Sequence, residues 1–370
     1  MNNSVLLLEA TKILTYSALA FFVALWWGPY LIQVLTKLEF WKKKVRDTTT
    51  TGEKLVVTKE FYEENEKKRL VPRAGGILIW VTTLVFAGFF WLFLKFYPQN
   101  QLTQFLNFVS RQETFIPLGT LFFGSFLGLI DDALVTSKSG GKYKGGGMHL
   151  SQRLLLVTIF SFLISLWFHF RLELHILSFF GWELNLNNLN FGLGLNATWL
   201  IIPFIILVLV FTWSTGIIDG FDGLAAGVFI PVFLCFAGLA FARGFFDVAT
   251  LLMVMVGSTV AYLWYNIPPS KFILGDTGTV GILLTLGVVA ILIDYVYILP
   301  IAGFVLFATS ISAIVQVGSK KFFKRKVLLA APLHHHLEAI GWKRNQITMR
   351  YWLISIMTSV LGLAIGLVFR

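Results

Sequence analysis

Ten long apolar stretches constrain this chain more than any other feature. They lie at roughly 14–35, 75–97, 114–130, 154–170, 198–217, 224–242, 249–266, 279–293, 296–318 and 351–369. Most are 17–23 residues long, and at 1.5 Å per residue such a helix crosses a hydrocarbon core of about 30 Å. The eighth is short, at about 15 residues. With 56% of its residues hydrophobic and only 13% charged, the chain has too much apolar surface for a water-soluble core to hide. The expectation is an all-α, polytopic integral membrane protein of about ten transmembrane helices, forming one membrane-embedded domain over residues 1–370 with no internal repeat. The first residues do not read as a cleaved signal peptide, because the apolar run after Lys12 continues far enough to span. The single cysteine, Cys235, sits inside an apolar run and excludes both a disulfide framework and a cysteine metal site.

A net charge of +11 could suggest nucleic acid, but its distribution points to a bilayer. Segments 36–74, 131–153, 267–278 and 319–350 follow odd-numbered spans, and together they hold 24 of the 30 lysines and arginines. By the positive-inside rule these connections face the cytoplasm and both termini lie outside. The basic excess then reflects topology and attraction to anionic lipid, with no nucleic-acid partner. The charge-dense 42–69 reads as a solvated loop. Among the outer connections, 171–197 alternates apolar and polar residues and predicts a small hairpin or interfacial element.

The acidic residues are few and unevenly placed. Between residue 114 and the run His334–His336 there are nine. Glu173, Glu183, Asp247 and Asp294 fall on the outer side of this topology. The other five are all aspartates on the inner side: Asp131 and Asp132 in GLIDDAL, Asp219 and Asp222 in IIDGFDGLAAG, and Asp276 in ILGDTGTV. A lone pair at a helix end is usually a solvated cap, but three clusters on one side mark function, since ionisable groups near membrane depth are costly. Short carboxylates flanked by glycine suit a hard cation such as Mg²⁺, which takes oxygen ligands and shares them with phosphates. Asp219 and Asp222 are three apart, so a helical turn would put both on one face. Asp131 and Asp132 diverge by about 100° in a helix and could not easily serve one ion together. One is expected to act on substrate while the other positions it.

Three consecutive histidines follow Pro332 in APLHHHLEAIGW. A regular helix cannot converge three adjacent rings, and an extended segment would share only His334 and His336 on one side. At most two of the three are expected to touch a site, His334 and His335 by preference, in phosphate or proton work. A transition-metal site is the weaker reading, as neither a cysteine nor a helix-spaced second pair supports it.

Taken in order, GLIDDAL, DGFDGLAAG, YLWYNIPPSKFILGDTG, SAIVQVGSKKFFKRKVLLAAPLHHHLEAIGW and RYWLISIM resemble the polyprenyl-phosphate N-acetylhexosamine-1-phosphate transferases, from about residue 68 to the C-terminus. The histidine block resembles the muramoyl-pentapeptide branch. This resemblance implies ten spans in a bacterial inner (plasma) membrane. It also implies transfer from UDP-MurNAc-pentapeptide to undecaprenyl phosphate, giving lipid I and UMP for peptidoglycan synthesis, with Mg²⁺ as cofactor. Carried over by position, it makes Asp276 a magnesium ligand and Asp131 the group that engages or deprotonates the lipid phosphate, assisted by Asp132. Asp219 and Asp222 would line the nucleotide site and Asn266 would contact the nucleotide. Lys68 matches the lysine before the family's P…GG motif, and Lys144 would contact phosphate. His334, His335 and His336 match the histidine motif, and a homodimer is compatible with the set. Phosphoryl transfer rests mainly on positioning and charge neutralisation, which these residue types provide.

The chain departs from that branch in four places, one of them the spacing between Asp132 and the next loop lysines, on which the assignment of Lys144 depends. LVPRAGG (70–76) stands where GTPTMGG is usual and is closer to the relatives that use UDP-GlcNAc. Gly216 replaces an asparagine three residues before Asp219, and Ile273, with Phe272 beside it, replaces an aromatic three residues before Asp276. UDP-GlcNAc is therefore the alternative donor. A transporter is the reading from another class, but it would place ionisable groups near the midplane and often show repeats.

Overall fold

The computed structural model describes residues 3–41, 70–137, 147–174, 176–188 and 197–369. Its helices are α1 (Asn3–Lys37), α2 (Ile77–Phe96), the short α3 (Gln101–Leu106), α4 (Phe115–Thr136), α5 (Leu150–Arg171), α6 (Ile201–Ser214), α7 (Leu224–Ala242), α8 (Phe246–Asn266), α9 (Asp276–Leu292), the one-turn α10 (Leu299–Ala302), α11 (Phe304–Phe323), α12 (Leu333–Ala339) and α13 (Arg344–Val368). Among the described residues, eight helices are long and apolar enough to cross a membrane, counting α6 with its flanking 3-10 turns as Ala197–Ile218. The two remaining apolar segments of the sequence behave differently. The expected 279–293 is α9, a shorter apolar helix. The expected 296–318 is broken, its halves Val296–Ala302 and Phe304–Phe323 bent by 84°. Pro300 and Gly303 flank the break, and such residues release the helical ladder.

The all-α architecture follows from the solvent that these spans meet. In lipid every backbone polar group must be satisfied inside the element, which a helix does. Hydroxyls within the spans fold back on their own helix, as Thr82 donates to the Leu78 carbonyl (2.6 Å), Thr212 to that of Val208 (2.7 Å) and Thr309 to that of Val305 (2.7 Å). Helices α7, α8 and α9 are apolar all round and buried, forming the centre of the bundle. Helices α1, α2 and α13 turn residues such as Trp26, Phe89 and Met357 outward. The contact between α4 and α9 depends on small residues: a Cβ on Gly124 would lie 2.9 Å from the Gly281 Cα.

The predicted hairpin forms. β1 (Ile176–Phe179) pairs antiparallel with β2 (Trp182–Asn185), Ile176 opposite Asn185. Its two turn residues, Phe180 and Gly181, both have positive φ (49° and 80°), as the favoured two-residue turn requires. The Ser178 amide donates to Asp294 Oδ1 (3.2 Å), tying the hairpin to the end of α9. Two contacts tie the first and last long helices to nearby loops: Lys12 Nζ donates to the Phe105 carbonyl (3.2 Å) and the Tyr297 hydroxyl to that of Phe369 (3.3 Å). The opposite face gathers the end of α4, the start of α5, the α6–α7 turn, the end of α8 and the start of α9. All five inner aspartates of the sequence are there.

Candidate functional site

The site is organised around the first turn of α9. Gly275, just before it, has φ 74° and ψ 176°, a conformation that glycine reaches without a steric penalty. The first amides of a helix lack intrahelical acceptors and carry its positive dipole end. Two carboxylates take up that role here: the Gly275 amide donates to Asp219 Oδ2 (3.1 Å) and the Thr277 amide to Asp132 Oδ2 (3.0 Å). Asp132 is fully buried, and its Oδ1 accepts from Arg73 Nε (3.0 Å). Arg73 is presented by the PRAGG segment, which is laced to the residues leading into α9. The Ile273 amide donates to the Pro72 carbonyl (2.8 Å), Gly75 to that of Ile273 (2.7 Å) and Gly76 to that of Leu274 (2.9 Å). Burial alone would lower the affinity of Arg73 for its proton, but the charges of Asp132, Asp276 and Asp219 outweigh this and raise it.

Asp131 faces elsewhere, as its helical offset from Asp132 dictates. Its Oδ1 accepts from the Met148 amide (2.6 Å) and its Oδ2 pairs with Arg153 Nη2. The other arm of that guanidinium, Nη1, lies 3.0 Å from Asp276 Oδ2. Arg153 therefore bridges α4 and α9 from the first turn of α5. A small pocket opens at this bridge, lined in part by Gly128, Asp131, Arg153, Trp213 and Asp276.

The helical turn expected to align Asp219 with Asp222 does not form. A 3-10 turn ends at Ile218, α7 starts only at Leu224, and Gly223 between them has φ 74°. The glycines of DGFDG break the helix and separate the two acids. Asp219 turns to α9, and burial pushes its carboxyl up to about 7 against the pull of Arg73. The Asp222 carbonyl accepts from Thr348 Oγ1 (3.5 Å) and that of Gly223 from Trp352 Nε1 (3.0 Å), so α13 grips the turn. Buried Asn266 clamps it from the other side. Its Oδ1 accepts from the Gly223 amide (2.8 Å) and its Nδ2 donates to the Phe272 carbonyl (2.8 Å).

The histidines occupy the short helix α12, and two of the three rings face the DGFDG turn. His334 and His335 pack edge-on against Phe221 at 5.1 and 5.2 Å. His336 turns away, its Nδ1 accepting from the Leu329 amide (3.3 Å). His334 is 1% exposed, and burial, together with His335, lowers its pKa to about 3, so the ring is neutral. Its Nδ1 is buried without a hydrogen-bond partner. His335 Nδ1 meets Glu338 Oε2 (3.1 Å), and Glu338 Oε1 accepts from Arg344 Nε (2.6 Å). Burial would push Glu338 up, but Arg344 and His335 hold it below the usual carboxylate range.

The chain as a whole is similar to known proteins. Residues 114–294 match the model of glycosyl transferase family 4. A phospho-N-acetylmuramoyl-pentapeptide-transferase of Acetivibrio thermocellus is 30% identical over 350 residues, covering 93% of this chain and 92% of the relative. One from Bartonella quintana is 30% identical over 314 residues, 80% of each chain. One from Rubrobacter xylanophilus is 35% identical over 177 residues, covering 48% of this chain and 54% of the relative. The chain belongs to the phospho-N-acetylmuramoyl-pentapeptide-transferase family. It is a multi-pass membrane phospho-sugar transferase, which sets the transporter reading aside.

Seen as a family member, the chain brings most of the expected site residues to one face. Asp131, Asp132, Asp219 and Asp276 converge on the start of α9, with His334 and His335 on the neighbouring DGFDG turn. Lys68 and Lys144 lie outside the described residues. The departures from the transferase pattern also have places in the fold. A Cβ on Gly216 would come within 3.3 Å of Thr279 and Leu283, so that position faces α9. Phe272 does not replace the aromatic missing at Ile273, because it is buried against Tyr262 (5.1 Å) in the core.

Two site residues were missed by reading the sequence, Arg73 and Arg153. Arg73 lay in the PRAGG departure, and Arg153 is a cation in the first turn of an apolar span, a placement that calls for a partner.

Proposed function

We propose that this chain, acting as a single transferase domain over residues 1–370, moves phospho-MurNAc-pentapeptide from UDP-MurNAc-pentapeptide to undecaprenyl phosphate, forming lipid I and UMP. The reaction would take place at the cytoplasmic face of a bacterial inner membrane. The observation that carries this reading is the convergence of four aspartates and two arginines on the first turn of α9, at a face where apolar spans end. The names of the relatives supply the donor. In the net reaction the bond between the sugar-bearing phosphorus and the oxygen leading to UMP breaks. A bond from that phosphorus to an oxygen of the carrier phosphate forms.

The charges suit this step. Arg73 and Arg153 lie beside the aspartates and can meet the donor diphosphate, whose negative charge shifts onto UMP as it leaves. Asp131, anchored by the Met148 amide, engages the carrier phosphate, with Asp132 holding the start of α9 behind it. Asp219 and Asp222 border the nucleotide site, and Asn266 keeps the two loops beside it in register. His334 and His335 fix α12 over the DGFDG turn on the same side.

The donor set also fits Mg²⁺. Asp131 and Asp276 present carboxylate oxygens from two helices to one shared cation, the Arg153 guanidinium. Among the described residues no group of three or more His, Cys, Asp and Glu could hold a metal by itself. Mg²⁺ takes one or two carboxylates and completes its shell with water and substrate phosphate. Bound there by Asp276 and Asp131, Mg²⁺ would neutralise the diphosphate oxygens.

A second donor, UDP-GlcNAc, is favoured by one observation: the arginine of PRAGG is part of the site, paired with Asp132. The test is UMP release by the purified protein in detergent with undecaprenyl phosphate and Mg²⁺, offered either donor. Release with UDP-MurNAc-pentapeptide is expected. Release with UDP-GlcNAc alone would select the second reading, and none with either would refute both.

A further inference from the structure

The bridging position of Arg153 serves its partners more than its own helix. A cation in the first turn opposes the helix dipole, so α5 gains nothing from it electrostatically. The start of α5 is nonetheless firmly built. His149 caps it, accepting from the Ser151 amide at Nδ1 (3.2 Å), while its own amide donates to Gln152 Oε1 (3.0 Å). Gly147 (φ 86°) lies against the ion pair, where a Cβ would be 3.1 Å from Asp131 Oδ1 and 3.3 Å from Arg153 Nη2. The guanidinium reaches two carboxylates on separate helices, pairing with Asp131 through Nη2 and lying 3.0 Å from Asp276 through Nη1. Asp131 keeps a second donor, the Met148 amide at 2.6 Å. Arg153 Nε is buried without a hydrogen-bond partner. The side chain is thus fixed by charge at its two outer nitrogens and remains 24% exposed, with room to move.

We propose that Arg153 also serves as the resident counter-ion of the Asp131–Asp276 pair, and that it competes with the divalent cation for these carboxylates. Without a cation, it holds the two acids together across the α4–α9 contact. When a divalent ion enters, Asp276 exchanges the guanidinium for the ion, while Asp131 stays anchored through Met148. This inference rests on the divalent-cation reading above and adds a resident competitor to it.

The test uses the full chain in detergent and Mn²⁺ as the probe, with free Mn²⁺ followed by electron paramagnetic resonance and thermal unfolding followed in parallel. The variants are Arg153→Gln, Arg153→Lys and Asp276→Asn. A competitor's removal should tighten Mn²⁺ binding by roughly five- to tenfold in Arg153→Gln, the size of an ordinary coupling between sites. Arg153→Lys, whose ammonium lacks the two-armed fork, should fall between it and the wild type. Without cation Arg153→Gln should melt below the wild type, and saturating Mn²⁺ should raise its melting temperature by more. If Arg153→Gln or Arg153→Lys folds but binds Mn²⁺ no more tightly than the wild type, the competition is refuted while the cation site stands. If the wild type shows no Mn²⁺ site that Asp276→Asn removes, the cation reading fails and this inference with it.

Discussion

The two faces of this bundle both bury charge, and they do so to different ends. On the hairpin face Lys12, its side chain 3% exposed, pairs with Glu9 (2.7 Å) and donates to the Phe105 carbonyl (3.2 Å). Arg243 is divided between the Ile293 carbonyl (2.9 Å) and Asp294 (3.5 Å). These charges close helix ends and fasten loops. On the aspartate face carboxylates from α4, the α6–α7 turn and α9 converge on one helix start, with two arginines and a pocket beside them. The same costly ingredient is structural where each charge ends on backbone. On the aspartate face the carboxylates instead converge and share two guanidinium groups.

Substitution at the convergence should cause the largest effect on turnover. Asp276→Asn is expected to lower UMP release by about two to three orders of magnitude, the range seen when a transition-state electrostatic contact is lost, with the melting temperature little changed. Near-normal release from the folded variant would remove Asp276 from the chemistry and erase the contrast between the faces.

The converse test is Lys12→Met on the hairpin face. It leaves Glu9 without its cation and should cost about 3 kcal/mol of stability, as breaking a buried pair does. Turnover per folded molecule should be unchanged. The readouts are thermal unfolding and UMP release normalised to folded protein. A loss of specific activity without a loss of stability would show that the two faces are coupled.

The sequence made one half of this picture legible and concealed the other. The spans could be read because a run of about 20 apolar residues has few alternatives. The aspartates stood out because acids are rare in such a chain. The arginines did not, because one basic residue at the edge of a span reads as ordinary topology. Their partners lie far away, 59 residues for Arg73 and Asp132, and no local pattern reveals them. The spacing of Asp219 and Asp222 suggested a helix, but Gly220 and Gly223 between and beside them decided otherwise. The histidine run showed that not all three rings could act together. The favoured pair, His334 and His335, is the one that faces the turn, but its contact with Phe221, 113 positions upstream of His334, only the fold could show.

His334 provides the smallest and most selective test. Its pKa of about 3 in the folded protein lies below the ordinary 6.5, so folding favours the neutral ring. The stabilisation is complete above about pH 6.5 and is lost progressively as pH falls from there towards 3. At pH 5 the loss should be about 2 kcal/mol, from 1.36 kcal/mol per unit below the unfolded value. Comparing unfolding at pH 7 and pH 5 in the wild type and in His334→Asn isolates this term, because other titrating groups cancel in the difference. The wild type should lose about 2 kcal/mol more than the variant. Equal losses would mean that His334 can be protonated where it lies. The histidine helix would then belong with the exchangeable charges of the aspartate face instead of acting as the neutral clamp on its turn.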